Sequence, residues 1–190
     1  RLNLKPEKIS INNLFKSKFK LMDYSHILSE LSKNKDIFKD LLSGISKEVY
    51  LWKMHSDKWC LLEIICHLYD EEREDFRYRT KHILENPESI LPSINPPAWV
   101  QERDYINQDY ETMINKFVHE RESSINWLQS LPSPNWKNVH HHPKLGNMTA
   151  KMMLTNWLAH DYLHIRQIIK LKFDFLKDQS DEHLSYAGEW

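Results

Sequence analysis

Apolar residues recur along the chain in four long stretches with helical spacing, separated by segments rich in Pro, Asn and Ser. The first runs from Asp23 to Leu42 with Ile27, Leu28, Leu31, Ile37, Phe38, Leu41 and Leu42 as its apolar face, and Gly44 is placed to end it. The second opens at Ser56 as an N-cap and continues through Cys60, Ile64, Leu68 and Phe76 to Glu85. The third covers Asp104 to Leu131, carrying Tyr110, Met113, Ile114, Phe117, Ile125, Trp127 and Leu128. The fourth opens at Thr149 and passes through Met153, Leu154, Trp157, Ile168 and Leu171 to Leu176. No β alternation of useful length appears. The pattern predicts an all-α four-helix bundle.

Connection lengths bear on topology. The segment Asn86–Trp99 holds Pro87, Pro92, Pro96 and Pro97 and cannot be helical throughout. A second helix of ~29 residues is ~43 Å long, and ~14 extended residues reach at most ~50 Å. The linker can therefore return along the bundle, so that the second and third helices run parallel. The linker Pro132–Asn147 is also long, with Pro134, Pro143 and Gly146.

Composition narrows the function classes. The 190 residues fit one domain, spanning 1–190. Only Gly44, Gly146 and Gly188 are glycine, which argues against phosphate-cradling loops, dinucleotide folds and hairpin-rich sandwiches. A net charge of -1 gives no basic surface for nucleic acid or membrane. The apolar stretch Trp59–Tyr69 is broken by Glu63 and His67 and is too short to span a bilayer. Cys60 and Cys66, six apart on one helix, would lie ~9 Å apart, too far for a disulfide. A reducing cytoplasm is the expected compartment.

The chemistry lies in the 11 histidines. His160 and His164 are one helical turn apart, so both imidazoles point the same way, as two ligands of one metal would. In a chain this rich in histidine about 0.6 such pairs arise by chance. Position adds weight, because Met153, Trp157, His160, His164, Ile168 and Leu171 form the apolar stripe. Buried imidazoles need partners for their nitrogens; a metal supplies one, and a hydrogen-bonded histidine pair in the core is the alternative. A third ligand is available at His67, which shares a helical face with Glu63, Glu71 and Glu74. Spacing alone leaves that face either a solvated acidic stripe or a wall of the site. The adjacent His140, His141 and His142 precede Pro143 in a loop and are left out of the site. Trp52, Trp136 and Trp190 fall in loops or the tail, where they can line a mouth, and Trp190 can pack back onto the bundle. A carboxylate-bridged di-iron bundle needs Glu-x-x-His twice, and the chain has no Glu-x-x-His.

Two runs carry a family resemblance. Trp59-Cys60-Leu61-Leu62-Glu63-Ile64-Ile65-Cys66-His67-Leu68-Tyr69-Asp70-Glu71-Glu72 and His160-Asp161-Tyr162-Leu163-His164-Ile165-Arg166-Gln167-Ile168 resemble the DinB-like (YfiT-like) superfamily of metal-binding four-helix bundles, over a motif-bearing core of about 23–175. The resemblance implies an up-down-down-up bundle. It also implies homodimers, and one divalent ion held by His67, His160 and His164, commonly zinc or nickel, with iron or manganese also compatible.

Family activities are diverse, and three readings follow. The leading one is a metal-dependent transferase, a thiol S-transferase acting on a small-molecule substrate with a low-molecular-weight thiol, which metal coordination deprotonates. The second is a metal-dependent hydrolase with water as nucleophile. The third is a non-enzymatic, metal-stabilised dimeric binding bundle. Glu63, Glu71 and Asp161 are the candidates for general base or ligand-orienting group.

Overall fold

The computed structural model describes residues 23–188 and 190; the segment before Asp23 and Glu189 lie outside the described residues. Four long helices form the bundle: α1 (Tyr24–Leu42), α3 (61–85), α5 (Tyr110–Ser130) and α6 (Ala150–Ser180). Two short helices accompany them, α2 (Lys47–Leu51) before α3 and α4 (Pro96–Glu102) after it. The two-stranded hairpin β1 (Val139–His142) and β2 (Gly146–Thr149) bridges α5 and α6.

Side-chain pairings fix the directions. Tyr110 at the start of α5 donates to the Leu42 carbonyl at the end of α1, and Arg121 reaches the Leu31 carbonyl, so α1 and α5 are antiparallel. Cys66 lies against Tyr105 while Arg77 bonds Glu120, so α3 and α5 run the same way. Asn34 meets Asp161 and Lys172 meets the Leu41 carbonyl, so α6 runs with α1. The topology is up-down-down-up, and the linker between α3 and α5 makes the return that its length allows.

Local chemistry sets most helix ends. The Asp109 carboxylate accepts the Thr112 amide at 2.8 Å, and the Thr149 hydroxyl accepts the Met152 amide at 3.0 Å, both N-caps that satisfy orphan donors of a first turn. Gly44 sits at φ +70° just past α1, a backbone state that a side chain would strain. The helix expected from Ser56 begins instead at Leu61. Glu63 closes a capping box there: its carboxylate accepts the Cys60 amide at 2.9 Å and takes the Lys53 ammonium at 2.7 Å, a stronger start than Ser56 offers. The third helix is also shorter than expected, because a single 3-10 turn at Tyr105–Asn107 precedes α5. The hairpin has no counterpart in the periodicity. Its strands are four residues each, too short to show alternation, and it turns through Gly146 at φ +74°.

Within α3, residues Glu71–Arg77 form a π-helical segment. Such a wide turn admits one extra residue and shifts every later side chain by about 100°. In an unbroken α-helix Phe76 would face about 180° from His67. Here it stacks on Trp157 and lies 4.9 Å from the His160 ring, and Glu72 turns into the core.

The core has two apolar lobes. One gathers Phe38, Leu42, Ile64, Ile65, Phe117 and Ile168; the other gathers Ile27, Leu31, Ile83, Leu128, Met153 and Leu154. Between them lies a polar layer. Arg121, 1 % exposed, donates to Glu72 at 2.8 Å and to both oxygens of Asp161 at 2.7 Å. Asn34 donates to Asp161 and the Trp157 indole to Glu72. Removing one member of a buried ion network strands the others, so Arg121→Met is expected to cost about 3–5 kcal/mol, measured by urea unfolding.

Candidate metal centre

Two helices bring three imidazoles to one point at the level of that polar layer. One ring nitrogen from each of His67 on α3 and His160 and His164 on α6 lies within 4.8 Å of the other two. The Nε2 atoms of His160 and His164 are 3.0 Å apart. Two nitrogens on one ion at ~2.05 Å would be about 2.9 Å apart at 90° and about 3.3 Å apart at the tetrahedral angle. The pair therefore already has the bite of a metal chelate. His67 completes the set, its ring 4.9 Å from that of His164 and 5.5 Å from that of His160.

Burial favours the neutral form of all three rings. Burial, followed by the neighbouring His164, holds His67 down at about 3. Burial, followed by His164, His67 and Arg121, holds His160 at about 2. Burial also lowers His164, against the opposing pull of Gln167 and Asp161. Neutral imidazole is the form that binds a metal. Three neutral rings bring three lone pairs, yet the trio makes only one mutual hydrogen bond, and Nδ1 of His67 is buried without a hydrogen-bond partner among the described residues. Buried polar atoms rarely stay unpaired, and a cation at the point of convergence relieves that deficit, so the donor set fits a divalent ion.

Apolar rings hold the histidines in place. Trp59 lies 4.8 Å from the His67 ring and Phe76 covers His160. His67 and His164 are 7 % and 8 % exposed, and His164 is the member of the trio that lines an open groove. Trp52, Trp59 and Trp190 line the same groove. Trp136, also considered for a mouth, is buried on the far lobe, stacked on Tyr24.

The three carboxylates considered as bases are all engaged. Glu63 caps α3 and pairs with Lys53. Asp161, fully buried, is clamped by Arg121. Glu71 is buried beside Asp75, whose partner is Arg79 at 2.6 Å. Burial and the Asp75 charge push Glu71 up to about 9. Glu71 is itself buried, and the π turn adds Glu72 and Phe76 to the inward positions. Glu72 and Arg121 went unforeseen; the available signal was an arginine at helical spacing between Phe117 and Ile125 on an otherwise apolar stripe. Of the adjacent histidines, His140 is buried on β1 and donates through Nδ1 to the Pro87 carbonyl at 2.7 Å, while His141 bonds Asn147. Neither joins the trio. Cys60 and Cys66 are free and buried, their thiols pushed up to about 11 and about 12 by desolvation.

The histidine shifts make stability depend on pH. Each folded value lies below the ordinary 6.5, so as pH falls the unfolded chain takes up protons first. The stability tied to neutral rings is complete above about pH 6.5 and is lost progressively towards about pH 2. The urea midpoint of metal-free protein is expected to fall between pH 7 and pH 4, and less steeply in the His160→Ala/His164→Ala variant.

The sequence matches the model of the DinB superfamily over residues 30–168. No functionally curated protein matches it. Among solved structures it is similar to YfiT from Bacillus subtilis, described as a probable metal-dependent hydrolase with an unusual four-helix bundle topology. The TM-score is 0.73 at 16 % identity, covering 84 % of this chain and 91 % of that one, a likeness of fold. No helix among the described residues is long and apolar enough to cross a membrane. With a match over most of its length, a four-helix bundle and a three-histidine cluster between its second and fourth long helices, the chain belongs to the DinB superfamily.

Proposed function

We propose that the chain is a divalent-metal-dependent enzyme of the hydrolase type, with His67, His160 and His164 as ligands. The observation that carries this reading is the convergence of three neutral imidazoles beside an open groove; the description of YfiT supports it. When bound, a divalent ion supplies Lewis acidity, which acidifies a water or thiol and polarises a carbonyl. The chain's own contribution is to keep three lone pairs available at neutral pH and to fix the rings with Trp59 and Phe76. It also presents the centre to a small molecule from the His164 side. Nitrogen donors suit zinc or nickel, with iron or manganese as alternatives. A cytoplasmic homodimer is the setting that we infer for this activity.

One observation favours thiol S-transfer as a second reading. Glu63, Glu71 and Asp161 are each tied to other partners, so no free carboxylate among them is at hand as a base for water. A thiol is acidic enough to ionise on coordination without one. The thiol would come from solution, because Cys60 and Cys66 are buried.

Purified untagged protein is expected to hold about one equivalent of metal, and a still-helical His160→Ala/His164→Ala variant none, by elemental analysis. Metal-loaded protein is expected to hydrolyse aryl esters without added thiol, with a roughly 100-fold loss on chelation. Turnover that appears only with an added thiol and an electrophile selects the transferase instead. Metal-stabilised melting with no turnover in either assay would sink both readings and leave a binding bundle.

A further inference from the structure

The groove beside His164 has a volume of about 510 Å³ and a definite chemistry. Its floor is α6 from Leu163 to Asp174, three turns or about 16 Å at 1.5 Å per residue. The facing wall comes from the segment before α3 and from the tail: Trp52, Met54, Trp59 and Trp190. Trp190 is anchored there by stacking on Phe173 at 5.4 Å, and Trp52 is edge-on to Phe175. Three indoles lining one groove favour a flat apolar body.

Charge is uneven along the groove. Lys58, Arg166 and Lys170 face a single carboxylate, Asp174. Lys170 is already bonded to Asp174, and Lys58 lies 3.1 Å from Asp57. Arg166 is exposed and has no ion pair or hydrogen bond among the described residues. It stands two residues beyond His164 on the same helix. A guanidinium presents a planar fork of donors suited to an oxyanion. The outer cavity that continues beneath the tail is different. There Lys170 and Lys177 are matched by Asp174, Asp178 and Glu182, so it offers no preference for an anion.

From this geometry we propose that the groove binds a small organic anion, its aromatic body against Trp52 and Trp59 and its oxyanion on Arg166. The bond that reacts would lie on the His164 side. That last placement rests on the metal-dependent reading above; the binding itself does not. Arg166 is then a specificity-determining residue, selecting anionic substrates over neutral ones of the same shape.

The test pairs 1-naphthylacetate with its neutral isostere 1-naphthylacetamide. Binding to the full chain is followed by tryptophan fluorescence, with metal-loaded and chelator-treated protein and with Arg166→Gln. The carboxylate is expected to bind about tenfold more tightly than the amide, as one charge-assisted hydrogen bond provides. The preference should persist after chelation and shrink at high salt. Arg166→Gln should abolish it while leaving metal content and amide affinity unchanged. Equal affinities, binding of neither probe, or a preference that follows the metal instead of Arg166 would each overturn the proposal, even in a protein that hydrolyses esters. A preference that depends on Arg166 in a protein without turnover upholds the groove while the hydrolase reading falls.

Discussion

The buried Arg121 guanidinium is the point through which the four long helices are tied. It donates to a carbonyl of α1, to Glu72 of α3 and to both oxygens of Asp161 of α6, from its own place on α5. A charge with 1 % exposure costs several kcal/mol in lost hydration unless its donors are met. Here two carboxylates meet it, and they are relieved in turn by Asn34 and the Trp157 indole. Such networks are poor sources of net stability when compared with a well-packed apolar core. What this one supplies is register. Asp161 lies between His160 and His164, so clamping it fixes the height and rotation of α6 against α3, and with them the meeting of both histidines with His67.

The same clamp shapes the electrostatics of the site. Asp161 directly follows His160 and stands three residues before His164, yet its carboxylate is clamped by Arg121. Glu72 is likewise drawn inward. The three imidazoles are left without a carboxylate in their ligand group. A divalent ion held by neutral donors keeps its full charge, which strengthens its Lewis acidity and its pull on anions. Arg166, the groove cation without an ion pair among the described residues, acts in the same direction. The bare ligand group follows from committing the nearby carboxylates to structure.

The bundle and two of the three histidines were legible because they depend on local spacing. Helical periodicity placed α1, α5 and α6, Gly44 and Thr149 marked their ends, and the one-turn separation of His160 and His164 set both rings on one side. His67 needed the resemblance as well, since its acidic face read equally as solvated surface. The rest hinged on events that spacing does not record. The π turn after His67 brings Glu72 and Phe76 inward alongside Glu71 and leaves Glu74 half-exposed with Arg103, so an even 3.6-residue count carried past residue 71 misses the carboxylate that meets Arg121. The partners of Asp161 and Glu72 lie 40 and 49 residues away, a separation at which one sequence carries no pairing signal. The start of α3 was misplaced for a related reason: a capping box on Cys60, supported by Lys53 from outside the helix, outcompetes a serine that only looks like a cap.

Helix α6 presents two adjoining faces, one to the core and one to the groove, and His164 belongs to both. Trp157, Asp161, Ile168 and Leu171 face the core. Leu163, Arg166, Gln167, Lys170 and Asp174 line the groove. His160 is covered by Phe76, and His67 by Trp59. His164 is the ligand whose side chain also lines the groove, while His160 is the most exposed of the three. Dry packing on one side and an aromatic, cation-edged slot on the other meet at a single imidazole. In the reading proposed above, what the slot admits would decide which small molecules reach the centre from the His164 side.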